Sequence, residues 1–443
     1  MVITRFAPSP TGNLNIGGVR AAIFAYLYAR HKKGKFLLRI EDTDKERSKN
    51  EYEENIIESL AWLNVSYDSL FHQSEHLERH TSVLKKMIEN NTAYVSKEIP
   101  TEPGGRTEVI RFKNPNRMVV FNDIVRGDIS MDTSDLGDFV IAKSLEEPLF
   151  HLAVVVDDWD EGVTHVIRGE DHISNTPRQI LLQEAIGAPT PIYAHLPLIL
   201  GPDRSKLSKR KGAKSITEYR DMGYLPEAIF NYDAFLGWHP GGEEEVFNQT
   251  ELIERFTLEN VQKSGAIFDE VKLAWFNREH IARLSPEAFI EYAKQFLSTE
   301  TLEALTNANL LEKLVPIMRE RIQNFAELRE LDTQGEFSYY TTRPSYETER
   351  LFWKTDTDPI KTSERLKKTQ DILTSIPEDN WCETIVKETL WPYAEEAGRG
   401  AVLWPLRYSL SGRDKSPDPF VIASIIGKNE TIQRISQAIK QLA

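Results

Sequence analysis

Two stretches near the amino terminus decide the fold: VITRFAPSPTGN at residues 2–13 and KFLLRIEDTD at residues 35–44. The first begins as a short apolar-rich strand and continues into residues typical of a turn. Apolar side chains then recur at helical spacing, at Val19, Ala22, Ile23, Tyr26 and Leu27. Residues 35–40 predict a second strand. Two strands joined by one helix predict parallel pairing with a right-handed crossover.

The carboxyl ends of these strands are the expected place for a ligand. In open sheets of parallel strands, ligands bind in the crevice beyond those ends. The rule brings Arg5, Ala7, Ser9, the glycine-rich turn and Glu41 around one crevice.

A second unit of the same kind begins at residue 164. Residues 164–168 predict a strand, residues 169–172 a turn, and Thr176-Pro177 the start of a helix. A further strand is predicted over residues 192–199. Because a long segment of mixed helix and strand signal separates the two units, we predict a nucleotide-binding fold split by an inserted domain. From about Gly241 onward the pattern is mainly helical.

Length and composition exclude several classes of protein. The chain has 443 residues, 40% of them hydrophobic and 28% charged, which predicts roughly two to four globular domains and no extensive disorder. There is no secretory leader pattern, and every apolar run is shorter than a bilayer span, so we expect a cytoplasmic protein without a membrane partner. The single cysteine, Cys382, excludes an internal disulfide and a cysteine-built metal site.

The net charge of −14 argues against non-specific binding to nucleic acid, because the overall field repels a polyanion. A specific RNA partner then needs local basic surface. Residues 204–214 supply such a surface, although a run of this kind is by itself more often a solvated loop.

Two short motifs carry possible phosphate chemistry. Asn15-Ile16-Gly17-Gly18 opens the first helix, where backbone amides and the helix N-terminus attract phosphate. Lys206-Leu207-Ser208-Lys209-Arg210 places two lysines three residues apart on a loop, where they could close over a triphosphate. Each motif alone is weak, since glycine turns and basic loops are common.

The motifs together resemble one known family. The chain combines RFAPSPTG at residues 5–12, NIGG at 15–18, RIEDTD at 39–44, HVIRGEDH at 165–172 and KLSKR at 206–210. This combination resembles the bacterial glutamyl-tRNA synthetases, a family of class I aminoacyl-tRNA synthetases. The resemblance covers most of the chain and is densest in its amino-terminal half.

The resemblance implies a domain plan. Residues 1–240 would form a Rossmann-type α/β catalytic domain, split by an α+β acceptor-binding insertion at about 70–160. Residues 241–300 would be a helical stem-contact domain, and residues 301–443 an all-α anticodon-binding domain. The family expectation for the oligomeric state is a monomer.

The resemblance also implies the reaction and its residues. Members use ATP and Mg²⁺ to form glutamyl-adenylate and transfer glutamate to the 3′-terminal adenosine of tRNA(Glu). The catalytic positions would be Asn15, Lys206 and Lys209. The ATP-binding positions would be Gly17, Gly18, Lys206, Ser208, Lys209 and Arg210. The glutamate-binding positions would be Arg5, Ala7, Ser9, Glu41, Phe150 and Arg168. The anticodon-reading positions would be Arg319, Arg321 and Arg407.

Physical reasoning supports this glutamate site. An arginine can donate two parallel hydrogen bonds to a carboxylate, and Glu41 can pair with an ammonium group. Two cationic arginines would reject glutamine, whose neutral amide leaves donors facing donors. Arg5 lies in a core-facing strand, where a buried arginine needs a partner, so we predict a functional role for it.

The chain departs from the family pattern at three places. Asn15 stands where the family usually has histidine, which predicts a reduced rate because asparagine keeps an N–H donor on a shorter side chain. Phe150 stands where the family usually has tyrosine, which removes a hydroxyl from the substrate site. The segment at residues 93–98 lacks the cysteines of the zinc knuckle found in many relatives, so we predict no zinc and no other resident metal.

Two alternatives remain open. The first is the same chemistry on tRNA(Gln), by a non-discriminating enzyme or a diverged second copy, which Asn15 and Phe150 would suit. The second is a catalytically silent paralogue that binds only tRNA or a protein. The intact loop 206–210 and Glu41 weigh against the second alternative.

Overall fold

The computed structural model describes residues 1–99, 107–207, 214–354 and 356–443. The chain divides into two compact units, Met1–His280 and Ile281–Ala443. Each unit is described separately below.

The strands all lie in the first unit. They are β1 (Ile3–Phe6), β2 (Lys35–Ile40), β3 (Ser69–His72), β4 (Ala93–Lys97), β5 (Glu108–Phe112), β6 (Met118–Asp123), β7 (Gly127–Asp132), β8 (Phe139–Ser144), β9 (Glu147–Pro148), β10 (His165–Gly169), β11 (Ile192–Leu196), β12 (Ile199–Leu200) and β13 (Ala266–Ile267), within the described part of the chain.

Nine helices begin within the described residues of this unit. They are α1 (Ile16–His31), α2 (Asn50–Trp62), α3 (Leu77–Glu89), α4 (Phe150–Asp160), α5 (Thr176–Ile186), α6 (Ile216–Asp221), α7 (Pro226–Ala234), α8 (Gln249–Arg255) and α9 (Glu270–Arg283), whose last turn crosses the unit boundary.

The main sheet has seven strands in the order β3-β2-β1-β10-β11-β6-β7. All neighbours are parallel except β6 and β7, which form an antiparallel hairpin at one edge. The predicted β-α-β unit is therefore confirmed, with Arg5 of β1 opposite Leu37 of β2. Because β1, β2, β10 and β11 run in one direction, their carboxyl ends meet at one edge of the sheet.

Two details of the sheet differ from the sequence expectation. The strand predicted over residues 192–199 is broken, with β11 in the main sheet and β12 paired to β13 instead. Pro197 lies at the break, and proline has no N–H to continue a ladder. The segment of mixed signal is also not wholly separate, because the hairpin β6–β7 joins the main sheet while β4, β5, β8 and β9 form their own antiparallel sheet.

Helix α1 lies at the centre of the first unit. Its side chains from Ile16 to Ala29 are nearly all buried, which explains why the helix has little amphipathic character. It packs against β1, β10, α7 and α8. The main core cluster therefore forms around α1, whose N-terminus is fixed near the carboxyl ends of β1 and β10.

The second unit is helical throughout its described residues. Its helices are α10 (Pro286–Ala293), α11 (Thr299–Asn307), α12 (Leu311–Arg321), α13 (Ala326–Thr333), α14 (Ser338–Thr341), α15 (Pro359–Thr374), α16 (Glu383–Ala397), α17 (Arg399–Ser411), α18 (Pro419–Ile426) and α19 (Lys428–Gln441). The predicted all-α carboxyl-terminal region is confirmed. Helix α15 packs against α16, α17 and α19. No helix among the described residues has both the length and the apolar character to cross a membrane.

Gly34, directly before β2, is the described glycine of the first unit with the least room for a side chain. A Cβ added there would lie 2.1 Å from the backbone oxygen of Val2, which accepts the N–H of Lys35. Because the clash is with backbone rather than with a movable side chain, we expect Gly34→Ala to separate β1 from β2 and to lower the free energy of unfolding by about 3 kcal/mol or more. Chemical denaturation measures this change.

The matched control for this prediction is Gly187→Ala. Gly187 has a φ of +76° and open space around its Cβ position, so alanine there meets only the backbone cost of about 1–2 kcal/mol. Equal losses in the two variants would contradict a steric role for Gly34.

Candidate active site

A cavity of about 380 Å³ lies at the carboxyl ends of β1, β2 and β10. Arg5 is on β1, Glu41 directly follows β2, and Arg168 is on β10. Of the residues that the strand rule placed around one crevice, Arg5, Ala7, Gly17, Gly18 and Glu41 line the cavity, and Ser9 does not. The predicted site residues that line it are Arg5, Ala7, Asn15, Gly17, Gly18, Glu41, Phe150, Arg168 and Lys206.

Among the described residues predicted to bind glutamate or ATP, Ser9 does not line this cavity. Ser9 is exposed to solvent instead. Ser208, Lys209 and Arg210 lie outside the described residues. Their proposed roles in ATP binding therefore stay predictions.

Arg5 is buried, with 4% of its surface exposed, and its partner is an acid of the protein itself. Its Nε donates to Oδ1 of Asp158 over 3.1 Å. The same oxygen accepts from Nη1 of Arg39 over 2.8 Å. A buried arginine in this strand is thus partly explained without a ligand, which the sequence argument did not foresee. Arg5 also lines the cavity, and its Nη atoms make no hydrogen bond to a described residue.

Arg39 links this pair to Glu41. Its Nη2 donates to Oε1 of Glu41 over 3.3 Å, and its Nη1 also donates to Oε2 of Glu161 over 2.9 Å. The Arg39 side chain is wholly buried. One guanidinium therefore fixes Glu41 directly and Arg5 through Asp158, and it lies beneath the cavity rather than on its surface.

Burial and charge together set the protonation of these acids. Burial raises the pKa of Glu41, and the charges of Arg39 and Arg5 offset part of that rise. Burial also opposes ionisation of Asp158, but the charges and hydrogen bonds of the two arginines hold the pKa of Asp158 below its ordinary value. Burial raises the pKa of Glu161 to about 7. Asp158 is therefore the acid of this cluster whose ionised form the neighbouring arginines favour most clearly.

Arg168 has a different environment. Its Nε donates to Nε2 of His195 over 3.2 Å, and its Nη2 donates to Thr176 and Gln179. Burial lowers its pKa to about 10, and no carboxylate among the described residues forms an ion pair with it. A buried cation with only neutral partners is suited to an anionic ligand.

The N-terminus of α1 forms another wall of the cavity. Asn15 is the N-cap, and its Oδ1 accepts the backbone N–H of Gly18 over 3.0 Å. A Cβ on Gly18 would lie 2.9 Å from the end of the Leu14 side chain, so alanine there would displace that side chain. Asn15 thus has a capping role that the sequence did not reveal, and its oxygen is committed to that role.

Lys206 and Phe150 complete the lining on the other side. Nζ of Lys206 pairs with Asp171 over 3.0 Å in an exposed bridge. The Phe150 ring lies against the rings of His151 and His172, and Val154 lines the cavity one helical turn further along α4. Burial lowers the pKa of His172 to about 4, so the imidazole is neutral at pH 7. The part of this wall around Phe150 is therefore apolar and uncharged, and the Lys206–Asp171 pair supplies its charged groups.

The three predicted anticodon-reading arginines lie in the second unit and are engaged there. Arg319 donates to the backbone oxygens of Ala282 and Leu284. Arg321 pairs with Glu336 over 2.8 Å, and Arg407 donates to the backbone oxygen of Asp414. These contacts give each arginine a structural function, and their part in reading RNA stays a prediction.

Several site residues were missed by sequence reasoning. Arg39 lies inside a motif that was quoted, but its burial was not apparent, and Asp158, His195 and Asp123 were not singled out. Asp158 follows Asp157 on an otherwise apolar helix, and such a pair of acids is a usable signal because buried acids need partners. The described residues contain no group of three or more His, Cys, Asp or Glu side chains placed to hold a metal ion.

Comparison with known proteins agrees with this architecture. A family model described as tRNA synthetases class I (E and Q), catalytic domain, matches residues 1–102 and 101–275. A second model, described as an anticodon binding domain, matches residues 288–439. The chain belongs to the class I glutamate- and glutamine-type tRNA synthetase family.

Individual relatives match along almost the whole chain. A glutamate–tRNA ligase of Carboxydothermus hydrogenoformans is 39% identical, over 98% of this chain and 99% of that protein. Glutamate–tRNA ligase 1 of Caldanaerobacter subterraneus subsp. tengcongensis is 37% identical, over 99% and 98%. A glutamate tRNA ligase from Elizabethkingia meningosepticum, solved in complex with its amino acid, is 31% identical with a TM-score of 0.84 over 100% of both chains.

The shared carboxylate of Asp158 yields a stability prediction. Asp158→Asn keeps the shape but removes the charge between Arg5 and Arg39. The substitution leaves the buried guanidinium groups of Arg5 and Arg39 without the negative charge that they share. We therefore expect Asp158→Asn to lower the free energy of unfolding by about 3–5 kcal/mol. Denaturant unfolding measures this change.

Asp160→Asn is the matched control on the same helix. Asp160 pairs with Arg79 in a bridge whose side chains are 30% and 37% exposed, so its loss should cost less than about 1 kcal/mol. A loss at Asp158 as small as that at Asp160 would show that the buried cluster contributes little.

Proposed function

We propose that the protein is a glutamate–tRNA ligase that activates L-glutamate with ATP and esterifies the 3′-terminal adenosine of tRNA(Glu). One observation carries the proposal: a single cavity combines two buried arginines, each with N–H groups that no described residue accepts, with the carboxylate of Glu41 and the N-terminus of α1. The matching relatives named glutamate–tRNA ligase support the same reaction.

Different site residues would contact different groups of the bound glutamate. Arg5 and Arg168 would receive carboxylate groups, and Glu41 would pair with the α-ammonium. Ala7 and Ser9 would lie along the bound amino acid, and Phe150 would provide an apolar wall. A site of this kind favours glutamate because glutamine has no charge to pair with the second arginine.

ATP would bind along the N-terminus of α1. Gly17 and Gly18 allow backbone approach to phosphate, and the helix N-terminus favours its charge. An oxygen of the glutamate α-carboxylate would attack the α-phosphorus, and pyrophosphate would leave while Lys206, Ser208, Lys209 and Arg210 neutralise it. A hydroxyl of the terminal adenosine would then attack the carbonyl carbon of the adenylate, and AMP would leave.

The proposed function also involves a metal ion, a cellular location, an oligomeric state and contacts with the tRNA. Mg²⁺ would arrive with ATP and neutralise phosphate charge, and no zinc would be held. The protein would act as a cytoplasmic monomer. Residues 241–300 would contact the tRNA stem, and residues 301–443 would read the anticodon through Arg319, Arg321 and Arg407.

The decisive experiment is charging of separate tRNA(Glu) and tRNA(Gln) transcripts with glutamate, ATP and Mg²⁺. We expect tRNA(Glu) to be charged, and Arg168→Ala to reduce charging to background as the negative control. Charging of tRNA(Gln) as well would establish a non-discriminating or diverged enzyme, which the departures at Asn15 and Phe150 would suit.

An Asn15→His variant belongs in the same experiment. The family histidine would carry its N–H donor further toward phosphate than asparagine does, and complete loss of one such donor costs roughly 10²- to 10³-fold in rate. We therefore expect faster charging. If the native chain charges neither tRNA while Asn15→His restores activity, the chain is a silent paralogue and the proposed function is wrong.

A further inference from the structure

Two of the buried arginines that line the cavity, Arg5 and Arg168, are held by opposite kinds of partner. Arg5 donates its Nε to a carboxylate, Asp158, which compensates its charge. Arg168 donates its Nε to a ring nitrogen of His195 instead. Both arginines are buried, so the difference in partner determines how much positive charge each presents to a ligand.

The hydrogen bonds of His195 determine its tautomer. A guanidinium Nε always carries a hydrogen, so Nε2 of His195 must accept from Arg168 through its lone pair. The hydrogen of a neutral imidazole then lies on Nδ1, which donates to Oδ2 of Asp123 over 2.7 Å. The His195 side chain is wholly buried. The three residues thus form a chain from carboxylate through neutral imidazole to guanidinium.

The other hydrogen-bond partners of Arg168 are also neutral. Nη2 donates to Oγ1 of Thr176 and to Oε1 of Gln179, each over 2.8 Å. The guanidinium carbon lies 5.5 Å from the centre of the Tyr193 ring, which itself stacks on the His195 ring. Nη1 makes no hydrogen bond to a described residue, and Arg168 lines the cavity. The fixed partners leave Nη1 as the donor available to a ligand.

Asp123 is itself held firmly. Its Oδ1 accepts the backbone N–H groups of Val125 and Arg126, in the turn of the β6–β7 hairpin. Its two oxygens also accept the backbone N–H of His195. A carboxylate with this many donors stays ionised, and the hydrogen bond from His195 helps hold the pKa of Asp123 below its ordinary value against burial.

We propose that His195, oriented by Asp123, is the positioning residue that makes Arg168 the carboxylate-selecting group of the amino acid site. This inference rests on the proposed function and deepens it. A neutral acceptor at Nε fixes the guanidinium plane but leaves its charge for the ligand. A carboxylate ligand pairs with that charge, whereas a carboxamide does not, so His195 contributes to the preference for glutamate over glutamine.

The His195 ring contacts Asp123 at Nδ1, and at Nε2 it contacts both Arg168 and the hydroxyl oxygen of Thr176, which lies 3.1 Å away. Two substitutions separate the Nδ1 side of the ring from the Nε2 side. His195→Asn keeps an N–H near the Nδ1 position, toward Asp123, and loses the acceptor for Arg168. His195→Gln extends to the Nε2 position, where its oxygen can accept from Arg168. We expect His195→Asn to weaken glutamate binding by about 10- to 100-fold, and His195→Gln to recover most of that loss.

Isothermal titration calorimetry with glutamate, without tRNA, is the primary measurement on the full chain. In charging assays, His195→Asn should raise the KM for glutamate and lower the ratio of kcat/KM for glutamate over glutamine, while the KM for ATP stays unchanged. His280→Gln, at another buried histidine whose Nε2 lies 3.1 Å from Asn231, is the control for loss of a buried imidazole. Thermal unfolding of each variant tests its folding.

The outcomes distinguish this inference from the proposed function. If the native chain charges tRNA(Glu) and His195→Asn binds glutamate as the native chain does, the positioning role is wrong and the function stands. If His195→Asn and His195→Gln lose affinity equally, the acceptor for Arg168 is not the cause, and the inference is overturned. If the native chain binds no glutamate and charges no tRNA, the proposed function itself fails.

Discussion

The site depends on one buried guanidinium, that of Arg39. It donates to Glu41, Asp158 and Glu161, and through Asp158 it also sets the position of Arg5. Removing a charge from water is costly, so such a cluster persists only when its geometry and hydrogen bonds are nearly complete. Arg39 does not touch the cavity, yet the two charged groups on that side of the cavity are fixed by it.

The cavity therefore has two electrostatic halves. Around Arg5 and Glu41, positive and negative groups are balanced within the protein. Around Arg168 the partners are neutral, so the positive charge is left for a ligand. A substrate with an ammonium group at one end and a carboxylate at the other meets a complementary group in each half, and this complementarity provides specificity more than raw affinity.

The parts predicted from the sequence are those fixed by local patterns. The second strand was predicted at residues 35–40 and is found at Lys35–Ile40, and Arg5, Glu41 and Arg168 meet because parallel strands end at one edge. The supporting residues were not predicted, because their contacts join distant positions. Arg39 and Asp158 are 119 residues apart, and Asp123 and His195 are 72 apart. No periodicity within a short window shows such pairs.

The hairpin β6–β7 lies within the segment predicted as an insertion, yet β6 pairs with β11 and its last residue is Asp123. The insertion is thus not an independent cassette. Exchanging it for the corresponding segment of a relative would also exchange the carboxylate that holds His195 against Arg168. A change in the inserted segment therefore reaches the wall of the cavity through a single side chain.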